Sequence, residues 1–131
     1  MKLRGYIFSR PFLEERVPQH VQNIIIRDYC KRNNFEYLLS ATEYAMPNSE
    51  IMLRQIVNEL NSVDGIVAYS IFQLPQNNFS RSYIIEEILE KKKEIHFACE
   101  SMHIKNISDF KEMEILWQIK LTTTTFKFEG F

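Results

Sequence analysis

The chain has 131 residues, of which 45% are hydrophobic, 13% aromatic and 25% charged, with 3 Gly and 4 Pro. That excludes a disordered, linker-rich or collagen-like chain and suits one α/β domain over residues 1–131, with roughly two-thirds of its unfolded surface buried. Sixteen Lys+Arg against seventeen Asp+Glu leave a formal charge of −1, so no global pull toward nucleic acid is encoded.

The 2–8 segment, Lys-Leu-Arg-Gly-Tyr-Ile-Phe, reads as a first strand that Arg10-Pro11 ends, because proline offers no N–H and restricts the residue before it. Val21, Ile24, Ile25 and Tyr29 recur at helical spacing, so residues 18–33 are expected as an amphipathic helix entered through Pro18. Residues 35–42 make a weaker second strand. A break at Met46-Pro47-Asn48-Ser49 then leads into a helix over 50–61 with Leu53, Ile56, Val57 and Leu60 on its apolar face. Ile66 to Phe72 is a near-continuous apolar run, the pattern of a strand covered on both faces.

After a polar loop, Ser80 is expected to cap a third helix with Ile84, Ile85, Ile88 and Leu89 on its buried side. Residues 94–99 form a fourth strand, and Ser108 is expected to cap a last helix through Met113, Leu116, Trp117 and Lys120. The β-branched stretch 122–131 is expected as an extended tail beyond a 1–121 core, either an edge strand or a partner-binding arm. Alternating strands and helices imply right-handed crossovers and a three-layer α/β/α sandwich on a mostly parallel sheet of four to five strands.

Cys30 and Cys99 have no paired-thiol spacing, and His20, His96 and His103 have no ligand spacing, so no metal, cofactor or disulfide framework is expected. No 18-residue apolar stretch and no signal-peptide run occur, which points to a cytoplasmic protein with no membrane partner.

In parallel sheets ligands bind beyond the carboxyl ends of the strands. That rule selects Ser9 and Arg10, Ser40 and Glu43, Tyr69, Ser70 and Gln73, and Cys99 with Glu100. Ser9, Arg10 and Arg81 read as anchors for a phosphate or carboxylate, or equally as a turn serine and solvated arginines. Glu43 and Glu100 suit a general base or a clamp on hydroxyls, and also the capping of a helix. Cys99 beside Glu100 and His103 suits covalent catalysis, although a neighbouring carboxylate raises a thiol pKa. Tyr69, Ser70, Gln73 and Gln76 suit neutral polar contacts to a ligand or ordinary buried polarity.

Gly5-Tyr6-Ile7-Phe8-Ser9-Arg10, a helix bearing Gln19 and Gln22, Asp64-Gly65-Ile66-Val67 leading to Leu74, and Ile95-His96-Phe97-Ala98-Cys99-Glu100 together resemble the catalytic domain of serine recombinases. That family carries a Tyr-x-Arg-x-Ser motif, whose Ser attacks a DNA phosphate, and an Asp-Arg-Leu-x-Arg motif. Here Phe8 and Arg10 stand at the first-arginine and nucleophile positions, Ser9 comes one position early, and Phe72, Gln73 and Gln76 replace Asp, Arg and Arg. Each lost charge-stabilising donor typically costs about 10²–10³ in rate. The resemblance thus implies the fold without recombinase activity, a second DNA-binding domain or a nucleic-acid partner.

Arg4-Gly5-Tyr6-Ile7-Phe8-Ser9-Arg10-Pro11-Phe12, Val17-Pro18-Gln19 and Tyr69-Ser70-Ile71-Phe72-Gln73-Leu74-Pro75 with Arg81 also resemble sporadic carbohydrate cluster proteins. That resemblance implies a bacterial surface-polysaccharide or glycan pathway. The expected function is a protein binding a sugar phosphate or nucleotide sugar at the strand ends, with Ser9, Arg10, Tyr69, Ser70, Gln73 and Arg81 in binding and Glu43, Cys99 and Glu100 in chemistry. The alternatives are a scaffold docking onto a pathway enzyme and, more remotely, DNA strand exchange. A homo-oligomer is expected under each.

Overall fold

Two apolar faces of one strand organise the molecule. In the computed structural model, which describes residues 1–13 and 15–129 (side chains through residue 123), β1 (Lys2–Phe8) sends Leu3 and Ile7 to one side and Tyr6 and Phe8 to the other. The first pair packs on Ile26, Tyr29 and Cys30 of α1 (Gln19–Arg32). The second joins a larger core with α2 (Ile51–Asn58), α3 (Asn78–Glu90) and α4 (Ile107–Glu129), which contribute Leu53, Ile56, Ile84, Ile88, Met113 and Trp117. A central strand buried on both faces is what a parallel sheet between helical layers requires.

The five-stranded sheet runs in the order β2 (Glu36–Glu43), β1, β3 (Gly65–Ala68), β4 (Glu94–Phe97), β5 (Met102–Ile104). Four strands are parallel, and β5 is antiparallel to β4. Beside β1, the β2 strand slips register between Leu38 and Ala41, and a Cβ on Gly5 would lie 2.2 Å from Ser40 Oγ. Only glycine admits that close approach.

Several boundaries differ from the sequence-based expectation, each for a local reason. The apolar run after Ile66 leaves the sheet at Ala68 and closes a 3₁₀ turn at Ile71–Gln73, in which the Ser70 hydroxyl accepts from Phe72 N–H. Asn77, not Ser80, caps α3, its side chain accepting from Phe79 and Ser80 N–H at 2.9 and 3.1 Å. Asn106 takes the place expected of Ser108, accepting from Asp109 N–H at 2.9 Å.

β5 is an additional short strand, reached through Ser101 at φ 52°. The stretch expected as an extended tail continues α4 to Glu129 instead, while Gly130 and Phe131 lie outside the described residues. The Thr123 hydroxyl donates back to Ile119 O at 2.9 Å, one of the ways threonine fits a helix. Among the described residues no helix is long and apolar enough to cross a membrane.

Candidate functional site

Strand order 2-1-3-4 reverses direction between β1 and β3, and a crevice of about 880 Å³ opens beyond the carboxyl ends of those two strands. Its walls come from the chain after β1 (Phe8, Arg10, Phe12), the turn before α2 (Pro47, Asn48, Ser49) and the segment between β3 and α3 (Phe72, Gln73, Gln76). Of the residues selected from sequence, Arg10, Gln73 and Gln76 line it. Ser9, Ser40, Glu43, Tyr69, Ser70, Arg81, Cys99 and Glu100 are not part of its lining.

Arg10 lies 4.1 Å over the Phe8 ring, donating from Nη1 to Tyr44 O at 2.9 Å and from Nη2 to Ser49 O at 3.0 Å. It therefore holds the 44–49 turn against β1. The neighbouring Ser9 hydroxyl is tied to Glu43 O at 3.0 Å.

The Glu43 carboxylate is almost wholly buried and collects five donors: Tyr6 Oη at 2.9 Å, Ser49 Oγ at 2.8 Å, and the N–H groups of Tyr44, Met52 and Leu53 at 3.0–3.2 Å. Burial pushes its pKa up, but the bonds from Met52, Ser49, Tyr6 and Leu53 outweigh that and hold it below the ordinary carboxylate value. Glu43 thus occupies the amino end of α2, where the helix dipole and unpaired N–H groups favour an anion. The place that an external phosphate would take is filled from within the chain.

The floor is neutral. Gln22 accepts from Phe8 N–H at 3.0 Å and from Gln73 Nε2 at 2.8 Å, and donates to Phe8 O and Val17 O. Gln73 Oε1 accepts from Tyr69 and Ser70 N–H at 3.2 and 3.4 Å. Two amides therefore tie the end of β1 to the end of β3. Gln22 lies on α1 and so outside the strand-end rule that selects most of the other candidates. Its signal was a polar residue in register with the buried stripe of Ile26, Tyr29 and Cys30.

Glu100 caps the 3₁₀ turn, accepting from Ser70 Oγ at 2.7 Å and Ile71 N–H at 2.9 Å. Burial raises its pKa, against the lowering effect of those bonds. Cys99 is exposed, and its thiol is pushed up by burial of the sulfur and by the charges of Glu100 and Glu15, with Tyr69 opposing. Tyr69 is pushed up to about 12, first by burial and then by Cys99. His103 faces His96, ring centroids 5.7 Å apart, on the hairpin of β4 and β5.

Arg81 is fully buried and spends all five guanidinium N–H groups on Pro75 O, Gln76 O, Asn78 Oδ1 and the Glu114 carboxylate, which leaves none for a ligand. Among the described residues no group of three His, Cys, Asp or Glu side chains is placed to hold a metal ion.

The N-terminal catalytic domain of TP901-1 integrase is similar in structure, with a TM-score of 0.62 and 15% identity over 96% of this chain and 97% of that one. A resolvase family site-specific recombinase from Streptococcus pneumoniae is similar with a TM-score of 0.66 and 8% identity, over 98% of this chain and 94% of that one. No protein-family model and no curated protein matches the sequence. These neighbours overturn the surface-carbohydrate reading, together with its sugar ligand and its exclusion of nucleic acid. One is the catalytic domain of an integrase and the other a site-specific recombinase, and the likeness to carbohydrate cluster proteins finds no support in them. What the likeness shows is the fold: a mostly parallel five-stranded α/β sandwich of the resolvase catalytic type.

Proposed function

We propose that this protein engages DNA at the crevice beyond β1 and β3, in a site-specific recombination role of the kind named for the two similar structures described above. The observation that carries this reading is the position of Arg10 in the crevice wall. Each of its terminal nitrogens gives one hydrogen to a turn carbonyl, keeping a second N–H for a phosphate oxygen. A net charge of −1 supplies little long-range attraction, so affinity rests on such local cations.

Ser9 is the hydroxyl beside Arg10 and the candidate nucleophile for strand cleavage. For that, its Oγ must give up its bond to Glu43 O. The serine oxygen would form a new bond to phosphorus as the bond from phosphorus to the sugar oxygen breaks, and the serine proton would pass to that departing oxygen, which leaves as a sugar hydroxyl.

The test is fluorescence anisotropy with labelled duplex DNA between 25 and 200 mM salt, run beside a denaturing gel for a covalent adduct. Binding that weakens with salt is expected. Arg10→Ala should weaken it roughly tenfold and lower the salt slope by about one. An adduct that vanishes in Ser9→Ala assigns the cleavage step as well. Absence of binding at 25 mM salt overturns the proposal.

A further inference from the structure

α1 and α3 each present one straight exposed ridge at the spacing i, i+4, i+7, i+11. On α1 the ridge is His20, Ile24, Arg27 and Lys31; on α3 it is Phe79, Tyr83, Glu86 and Glu90. The amino-terminal halves carry large exposed apolar groups, with Ile24 at 60%, Phe79 at 87% and Tyr83 at 53% exposure. The carboxyl-terminal halves carry opposite charges, two cations on α1 and two carboxylates on α3. Among the described residues, none of these four charged groups takes part in an ion pair within the chain.

The topology aligns the two ridges. α1 returns the chain from β1 to the parallel strand β2, and α3 returns it from β3 to the parallel strand β4, so both run against the strand direction. They do so on opposite faces of the sheet, α1 over the smaller core and α3 over the larger one. A second copy displaced across the sheet, and turned by the roughly 40–50° of twist that two strand steps accumulate, therefore lays its α1 alongside the first copy's α3 with the helices parallel. In that register Ile24 meets Phe79 and Tyr83, while Arg27 and Lys31 meet Glu86 and Glu90.

We infer that the ridges of α1 and α3 form a head-to-tail interface between copies of this chain, because their apolar and oppositely charged residues match along parallel helices. The contact is heterologous: each copy offers a different surface to each neighbour. Copies related by a turn combined with a displacement along its axis do not close into a ring, so the assembly grows as an open, twisted row. The contact is confined to two helix ridges, smaller than a standard stable interface, so association depends on concentration. Its charged half is exposed, so added salt weakens it.

The test is sedimentation velocity of the full chain from 10 µM to 1 mM, at 50 and 500 mM salt. Average mass is expected to rise with concentration at low salt and to fall back at high salt. Glu86→Lys with Glu90→Lys should cut association roughly tenfold or more, and so should Arg27→Glu with Lys31→Glu. A chain carrying all four reversals should associate again, since the ridges are then complementary with signs exchanged. All these positions are exposed, and circular dichroism checks that each variant keeps its helices. A monomer throughout, a mass that stops at two copies, or reversals without effect on association overturns the inference. So does failure of the four-fold variant to recover.

Discussion

Arg81 and Glu114 meet fork to fork across 33 residues of chain, with Nε donating to Oε1 at 2.8 Å and Nη2 to Oε2 at 2.7 Å. The guanidinium also lies 4.4 Å from the centre of the Trp117 ring, and Trp117 donates to Ile71 O at 3.1 Å. One side chain therefore joins the loop before α3, the first turn of α3 and the middle of α4.

Replacing it should be a folding defect before it is anything else. Arg81→Met is expected to lower stability by about 3 kcal/mol, the low end for breaking a buried pair because Glu114 is partly exposed. Arg81→Lys should recover little, since an ammonium cannot reproduce the five-donor fork. Urea unfolding measures both. A stable Arg81→Met protein with weakened ligand binding would return Arg81 to the role of a ligand anchor.

Glu43 gives a second stability signature, at low pH. Its folded pKa lies below the ordinary value of 4.5, so it contributes stability above that value that is lost as pH falls through the folded pKa. Glu43→Gln keeps the shape but cannot accept from every donor at the α2 amino end. It is expected to cost about 2 kcal/mol at pH 7 and to flatten the acid limb of the stability curve below pH 4.5. Chemical denaturation at pH 3.5, 4.5 and 7 distinguishes this from a catalytic role, which would spare stability.

His96 acts in a different window. Its ring is buried between Tyr29 Oη, 2.6 Å from Nδ1, and Glu94 Oε1, 2.6 Å from Nε2, with Phe35 packed edge-on at 5.0 Å. These partners suit the neutral tautomer, in which the phenol donates to Nδ1 and Nε2–H donates to the carboxylate. Burial lowers the pKa below 6.5, with Glu94 opposing and His103 and Lys105 adding to the lowering. The unfolded chain therefore takes up a proton near pH 6.5 and the folded one does not. Stability is complete above 6.5 and falls, by at most about 1.4 kcal/mol per pH unit, as pH drops toward the folded pKa. Thermal melts between pH 5 and 7.5 should show this slope, and His96→Phe should remove it.

The core elements were legible where one local pattern decided them. Leu3 and Ile7 on one parity and Tyr6 and Phe8 on the other made β1 plain, and the spacing of Ile84, Ile85 and Ile88 did the same for α3. The end of β3 was not legible, because its apolar run continues past the point where Glu100, 29 residues on, seizes Ile71 N–H. The end of α4 misled for a different reason: a threonine run has strand propensity, yet the helix runs on through it, with the Thr123 hydroxyl bonded one turn back to Ile119 O.

The same distance effect governed the candidate site. Arg10 and the crevice could be placed because both lie at a strand end beside the reversal in strand order. Arg81 could not, because Glu114 and Trp117, which consume it, belong to a helix far along the chain. Nor does a sequence display that Glu43, a carboxylate of ordinary appearance, is claimed by five donors.

The linked amides of Gln22 and Gln73 have a consequence of their own. Neither titrates, so the joint that sets the spacing of the two central strand tips is indifferent to acid, alkali and ionic strength. Whatever approaches this end of the sheet meets a base of constant shape, and any adaptation must come from the surrounding turns.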